Sequence, residues 1–510
     1  MSNRSPDIVM LDGSPLATAD VVAVARRGRA VELAEAARDR MTASRRTVET
    51  LAAGDAAIYG LNTGFGSLSK VRIDGEKIQQ LQANIVRSHA AGVGDPLPDD
   101  VVRAMMVILA ASLARGLSGV RPLVVDHLLS MLGAGLVPII PSRGSVGASG
   151  DLAPLAHLAL AMMGEGAVHR EGETVATTEA MAKAALTPIQ LEAKEGLALL
   201  NGTHFMSAAG SLALHDLDRI FHAASIATAM SIDGCRASHG PLAAPIHAAR
   251  NQPGQIEVAA DLRRILEGST IVAAHAENDP RVQDPYSLRA SPQVLGAVAD
   301  SLRMVRTTIE AELGAVTDNP LVFVDGPDGA AIRSGGNFHG MPLAIQLDHL
   351  RIATTHLAGI SERRVFWVLS GHDEHNPVTP YLAQDPGLQS GLMIAQYTAA
   401  ACTSELQTLA NPASVANIST SAGIEDYNSM GATGALLTLH AARLARSVVA
   451  IELLVMAQAI EHQRPHLSGD VVEEAHRRIR DRIPPLTADR SPAPDIEAME
   501  RMIGSGDFDL

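Results

Sequence analysis

Residues 144–151 read GSVGASGD, three glycines and two serines in eight positions, and lead directly into the apolar run LAPLAHL. What this loop could do chemically turns on Ser149. A nucleophile elbow needs GxSxG. Ser149 has Gly147 before it but Asp151 after it, and Ser145 has Arg143 before it, which excludes hydrolase chemistry of that kind. Glycines at 144, 147 and 150 fit neither a Walker loop nor the GxGxxG of dinucleotide binding. The chemistry that remains uses the backbone itself. Attack of the Gly150 nitrogen on the Ala148 carbonyl carbon, with loss of water there and from Ser149, gives a methylidene-imidazolone carrying an exposed electrophilic carbon. It requires Gly at 150 for close approach, a small residue at 148, Ser at 149 for the methylidene and nearby glycines for a compressed bend, and all are present. Asp151 as a cap and Pro154 in a first turn predict that the loop ends at a helix N-terminus, where N–H groups and the dipole stabilise negative charge. The competing reading of an isolated Ala-Ser-Gly is an ordinary turn into a helix.

Such a loop needs a rigid scaffold, and the rest of the chain predicts a helical one. Of 510 residues 46% are hydrophobic and only 3% aromatic, which favours helix over sheet and allows a large core. Residues 99–135 predict two helices broken near 116–122 and closed by Gly133 and Gly135. The segments 205–234, 296–315, 340–368, 388–410 and 430–462 predict long helices. The stretch 430–460 is apolar on nearly every face, interrupted by Arg443, Arg446 and Glu452, as expected of a helix buried in a bundle. Loops rich in Gly, Pro, Asp and Asn fall at 60–66, 139–154, 236–256, 276–292, 316–340 and 370–390, and chemistry concentrates on loops of this kind. The tail reads as a surface peptide ending in a short helix and a frayed end.

A net charge of −15 argues against a nucleic-acid partner. Cys235 and Cys402 lie far apart without metal spacing, which argues against a disulfide framework and a zinc site and fits a cytoplasmic location. No membrane span or export signal is read in the sequence. The run HDEH at 372–375 lacks HExxH spacing and reads as a solvated loop rather than a metal site.

GSVGASGDLAPLAH resembles the signature of the ammonia-lyase family that includes histidine, phenylalanine and tyrosine ammonia-lyases and the related aminomutases. Further matches run in order: YGLNTGFG (59–66), SHAAG (88–92), LALLNGT (197–203), VQDPYSLR (282–289), TDNPLVF (317–323), SGGNFHG (334–340), SGLMIAQ (390–396) and NPASV (411–415). The resemblance implies a mainly α fold of the ammonia-lyase and fumarase-like type, with a long antiparallel helical bundle. It also implies an N-terminal domain at 1–205 carrying the tyrosine loop and the Ala-Ser-Gly group, followed by the bundle and C-terminal helices at 206–510. A homotetramer with shared active sites is implied, as is a small-molecule amino acid substrate. The only cofactor implied is the methylidene-imidazolone formed from Ala148, Ser149 and Gly150, with none that diffuses.

The implied roles follow the motifs. The substrate amine adds to the carbon derived from Ser149, and Tyr59, as a phenolate, removes the β-proton, because side chains offer bases and nucleophiles but no strong electrophile. Arg289 suits a clamp on the substrate carboxylate. Asn201 and Tyr286 contact the prosthetic group or substrate, with Gln283 and Phe338 lining the site.

Ser88-His89 resembles the pair of the histidine enzymes, His89 being suited to hydrogen-bond an imidazole, and Glu405 matches an acidic position able to hold the ring N–H or relay protons. Elimination of ammonia from L-histidine to trans-urocanate is the leading expectation. Departures from the histidine enzymes include His204 in NGTH, Met341 in GGNFHGMP, Gln384 in AQDPG, and Ile424, Tyr427 and Asn428 in GIEDYNSM. They keep open a lyase for a modified histidine such as ergothioneine or for tyrosine or phenylalanine, and a 2,3-aminomutase using the same group. A degenerate scaffold is disfavoured by the joint presence of Tyr59, Ser149, Asn201 and Arg289.

Overall fold

Two aspartates open the helix Asp99–Leu113, where carboxylates complement the dipole, and the residues after Val101 are almost continuously buried. The loop 114–121 breaks the pattern, and Pro122, whose missing N–H costs nothing in a first turn, starts the helix Pro122–Gly133. A computed structural model describes residues 8–54, 58, 60–61, 63, 73, 77–276, 279, 281–326 and 329–509. Tyr59 lies outside the described residues.

The fold is mainly α, with nineteen helices and nine short strands among the described residues. The other predicted long helices are His204–Gly234, Ser291–Glu312, Met341–Ser370, Met393–Leu409 and Gly431–Glu461. The chain divides into two compact units. One comprises 1–212, 306–348 and 412–438, the other 213–305, 349–411 and 439–510.

Every named strand falls in the first unit. The antiparallel pair Val93–Pro96 and Pro141–Arg143 sets the site, because it ties the segment after His89 to the strand that runs into the glycine loop. Around it pack the helices Ile78–His89, Leu152–Met162 and Glu195–Leu200, each in contact with the other two. Hydrogen bonding reinforces this, since Gly92 N donates to Nε2 of His157 at 3.1 Å, joining the motifs SHAAG and LAPLAH.

In the second unit Glu452 explains its own presence in an apolar helix. It accepts from Arg364 Nε at 2.5 Å and from Ser231 Oγ at 2.7 Å, with all of these side chains buried, so the charge is both paired and hydrogen-bonded. The tail departs from expectation. The helix Ala493–Ser505 buries Met499, Met502 and Ile503, and Phe508 beyond it is buried as well, so apolar packing anchors an end that its sequence suggested was frayed.

Candidate active site

The glycine loop is held by main-chain groups. Gly150 has φ +77° and forms an isolated parallel bridge with Gly202, which has φ +111°. A Cβ placed on Gly150 would overlap the Gly202 carbonyl and lie 2.8 Å from its Cα, so glycine is required there both by conformation and by space. Across the bridge, Asp151 N donates to Gly202 O at 2.7 Å and Gly202 N donates to Ser149 O at 3.3 Å. Ala148 is buried and Ser149 half-buried. Ser429 Oγ donates to Gly147 O at 3.0 Å and Met430 N to Val146 O at 2.9 Å, which binds residues 417–431 to the same loop.

Asp151 corrects the sequence reading. It sits at the N-cap of Leu152–Met162 but makes no side-chain cap there. Its Oδ2 instead accepts from Phe205 N at 2.9 Å and Met206 N at 3.1 Å, capping the first turn of the helix His204–Gly234. Ser145 Oγ lies 3.4 Å from its other oxygen and donates to Gly150 O at 3.0 Å. Two helix N-termini therefore meet at the loop where the sequence suggested one. Burial pushes the Asp151 carboxyl up to about 7 despite these donors, because an ion without solvent is penalised more than three hydrogen bonds repay.

The carboxylate set against Ser149 is one the motif reading did not single out. Ser149 Oγ donates to Glu425 Oε1 at 3.4 Å, and Thr420 Oγ1 holds the other oxygen of Glu425 at 2.8 Å. Glu425 stands within GIEDYNSM, the motif that departs from the histidine enzymes at Ile424, Tyr427 and Asn428. Asn201 is buried beside the loop. Its Nδ2 donates to Asn319 O at 2.8 Å and Asp318 Oδ1 at 3.3 Å, so what it offers elsewhere is its Oδ1, an acceptor. Lys194, fully buried, holds the far oxygen of Asp318 at 2.5 Å and fixes that frame.

His89 closes the helix Ile78–His89, and its Nδ1 lies 2.9 Å from Ile85 O and 3.0 Å from Ser88 Oγ. A carbonyl only accepts, so Nδ1 carries the proton and Nε2 of the neutral ring is an acceptor. Phe338, half-buried, precedes His339, whose Nε2 donates to Tyr427 O at 3.0 Å. The first unit thus brings Ser149, Asn201 and Glu425 onto one loop system, with Ser88 and His89 leading into the strand that pairs beside it.

In the second unit the predicted residues form a separate group. Arg289 Nη2 donates to Gln283 Oε1 and Nε to Asp284 O, each at 2.9 Å, and the guanidinium stands 4.5 Å from the Tyr286 ring centre. A cavity of about 520 Å³ opens between Gln283, Tyr286, Trp367 and residues 372–375. The run HDEH is therefore not simply solvated, since Asp373 is ion-paired with Arg281 at 3.0 Å and the run lines a cavity. No group of three metal-ligating side chains occurs among the described residues. Tyr286 is 72% exposed and Val282 95%. Glu405, exposed, is held by His440 Nε2 at 2.6 Å.

No helix among the described residues is long and apolar enough to cross a membrane. The family model described as aromatic amino acid lyase matches residues 16–481. A histidine ammonia-lyase of Anaeromyxobacter dehalogenans is 47% identical over 512 aligned positions, covering 99% of this chain and 100% of that protein. Among solved structures, the histidine ammonia-lyase from Trypanosoma cruzi aligns with TM-score 0.91 and 37% identity, over 98% of this chain and 94% of the other. A tyrosine aminomutase from Streptomyces globisporus aligns with TM-score 0.91 and 36% identity, over 98% and 97%.

Proposed function

The chain belongs to the aromatic amino acid lyase family and is a carbon–nitrogen lyase, and we propose that it eliminates ammonia from L-histidine to give trans-urocanate. The observation that carries the proposal is the held geometry of Ala148-Ser149-Gly150 against Gly202. The turn is built so that Gly150 fits only without a side chain, and the fit suits a tripeptide that cyclises to a methylidene-imidazolone. That group, once formed, supplies toward the substrate amine the electrophile that ordinary side chains lack. Its carbonyl oxygen would be that of Ser149, which the Gly202 N–H already addresses.

The remaining tasks fall to this chain's own side chains. His89 offers the Nε2 lone pair to an imidazole N–H, which is the reason for choosing histidine among aromatic substrates. Arg289 uses Nε and Nη2 on Asp284 and Gln283, which fixes the guanidinium and leaves Nη1 for a substrate carboxylate. Tyr286 stacks on Arg289 beside Gln283, and Phe338 is assigned to substrate binding in the same proposal. Tyr59 takes the β-proton. Glu425, which accepts from Ser149 Oγ, is assigned the proton of the substrate ammonium, and Asn201, whose Nδ2 is occupied, is assigned the same amine through Oδ1. Glu405, occupied by His440, is assigned a lesser part in proton relay. Assembly as a homotetramer with shared sites, which would cover Val282 and Tyr286, and a cytoplasmic location belong to the same proposal.

The fold alone does not separate lyase from aminomutase, since the aminomutase aligns as well as the histidine enzyme. The deciding experiment mixes purified protein with L-histidine, ergothioneine, L-tyrosine and L-phenylalanine, following unsaturated product by absorbance, free ammonia enzymatically and β-amino acid by chromatography. Urocanate and ammonia from histidine are expected. Product from another substrate but not from histidine, or a β-amino acid in place of ammonia, would sink the proposal.

A further inference from the structure

The residue of the NGTH motif that departs from the histidine enzymes is deeply buried. His204 is 3% exposed, and neither ring nitrogen has a hydrogen-bond partner among the described residues. Burying an unpartnered imidazole costs stability, so a hydrocarbon of similar size would serve a merely structural role better. The ring lies against the Gly202 backbone. A Cβ placed on Gly202 would be 2.5 Å from His204 Cε1 and 3.0 Å from Nδ1, and would overlap the Thr317 hydroxyl. On the other side, Gly202 is in contact with Gly150. The Gly202 peptide is thus pinned between the glycine loop and a slot walled by His204 and Thr317, and Thr317 Oγ1 is fixed in turn by Thr203 N at 3.3 Å.

We infer that His204 is a positioning residue: its flat ring holds the Gly202 N–H on the carbonyl oxygen of Ser149. This rests on the reading of Ala148-Ser149-Gly150 given above. A planar group fits such a slot where a branched aliphatic chain of equal bulk is too thick, and a small side chain leaves the peptide free to tilt. The role does not involve titration, since burial keeps the ring neutral, its pKa pushed down to about 4. Because the N–H addresses an oxygen that gains charge during reaction, its misplacement lowers kcat and leaves substrate binding nearly unchanged.

The test compares H204A, H204L and H204Q in the purified full-length enzyme with S149A as reference. The readouts are kcat and KM with L-histidine and the near-ultraviolet difference spectrum of each variant against S149A, which reports the cyclised tripeptide independently of turnover. Expected are a fall in kcat of about tenfold or more in H204A and H204L, KM within about twofold, an altered difference spectrum, and restoration by the planar amide of H204Q to within about threefold. If circular dichroism shows H204A unfolded, H204N gives the same readout. Wild-type kcat in H204A or H204L, a rise in KM with kcat unchanged, or H204Q as slow as H204A overturns the inference. A wild-type enzyme with no difference spectrum against S149A, and S149A as active as wild type, shows instead that the underlying reading has failed, and the inference falls with it.

Discussion

The loop 144–151 and the segment 281–289 are built in two different ways. The first is made of main chain. Its fixed points are N–H and carbonyl groups of Gly147, Ser149, Gly150, Asp151 and Gly202, and side chains enter it mostly as caps. The second is made of side chains that hold one another, with Arg289 on Gln283 and Tyr286, and Arg281 on Asp373, much of it facing solvent. A backbone-built region is preorganised and tolerates almost no substitution, whereas a side-chain-built one can be retuned residue by residue. Electrophile chemistry, common to every substrate considered, suits the first, and recognition of a substrate end suits the second.

That contrast predicts different kinds of damage. Ser149→Ala in the backbone-built region should abolish turnover, with kcat down by about three orders of magnitude or more while circular dichroism stays that of the wild type. Substantial residual activity would break the comparison at its strongest point. Arg289→Lys in the side-chain-built region keeps the charge but loses the fork, so kcat/KM should fall by about 10- to 100-fold, mostly through KM, in steady-state kinetics. A complete loss would mean that this region is as unforgiving as the loop.

His89→Leu removes the Nε2 acceptor, and a loss of about tenfold in kcat/KM for L-histidine is expected, with a smaller change for L-phenylalanine. Equal losses for both substrates would remove His89 from ring recognition. The smallest effect concerns stability. The Asp151 carboxyl stands at about 7 in the folded chain and near the usual ~3.9 when unfolded. Between these values the folded state holds a proton that the unfolded state has lost, so this group's stabilisation is full at about pH 4 and has been lost by about pH 7. In Asp151→Asn that slope should flatten, as read from urea midpoints across the interval, and an unchanged slope would assign the titration elsewhere.

The loop was legible in the sequence because its requirements are local: which residues are small, which is serine, which must be glycine. The long helices were legible for the same reason, since periodicity and punctuation are short-range. Glu425 was not, because it reaches Ser149 across 276 positions from a loop with no periodic signal, while Glu405 stood in a recognisable motif. The partner of Asp151 was missed because capping was read from the next residues along, and the helix it caps begins with His204. The cavity beside 372–375 escaped because polar composition looks alike on a solvated loop and on a lining one.

The distance between Asp151 and the helix that it caps has a consequence for when the molecule becomes dangerous to its surroundings. A reactive electrophile in a nascent or damaged chain would be a liability, open to any passing thiol or amine. Here a contact beside the bend joins residues 54 places apart, a contact that an unfolded chain lacks. On the chemistry proposed for the tripeptide, the electrophile would arise only where the completed architecture already encloses it.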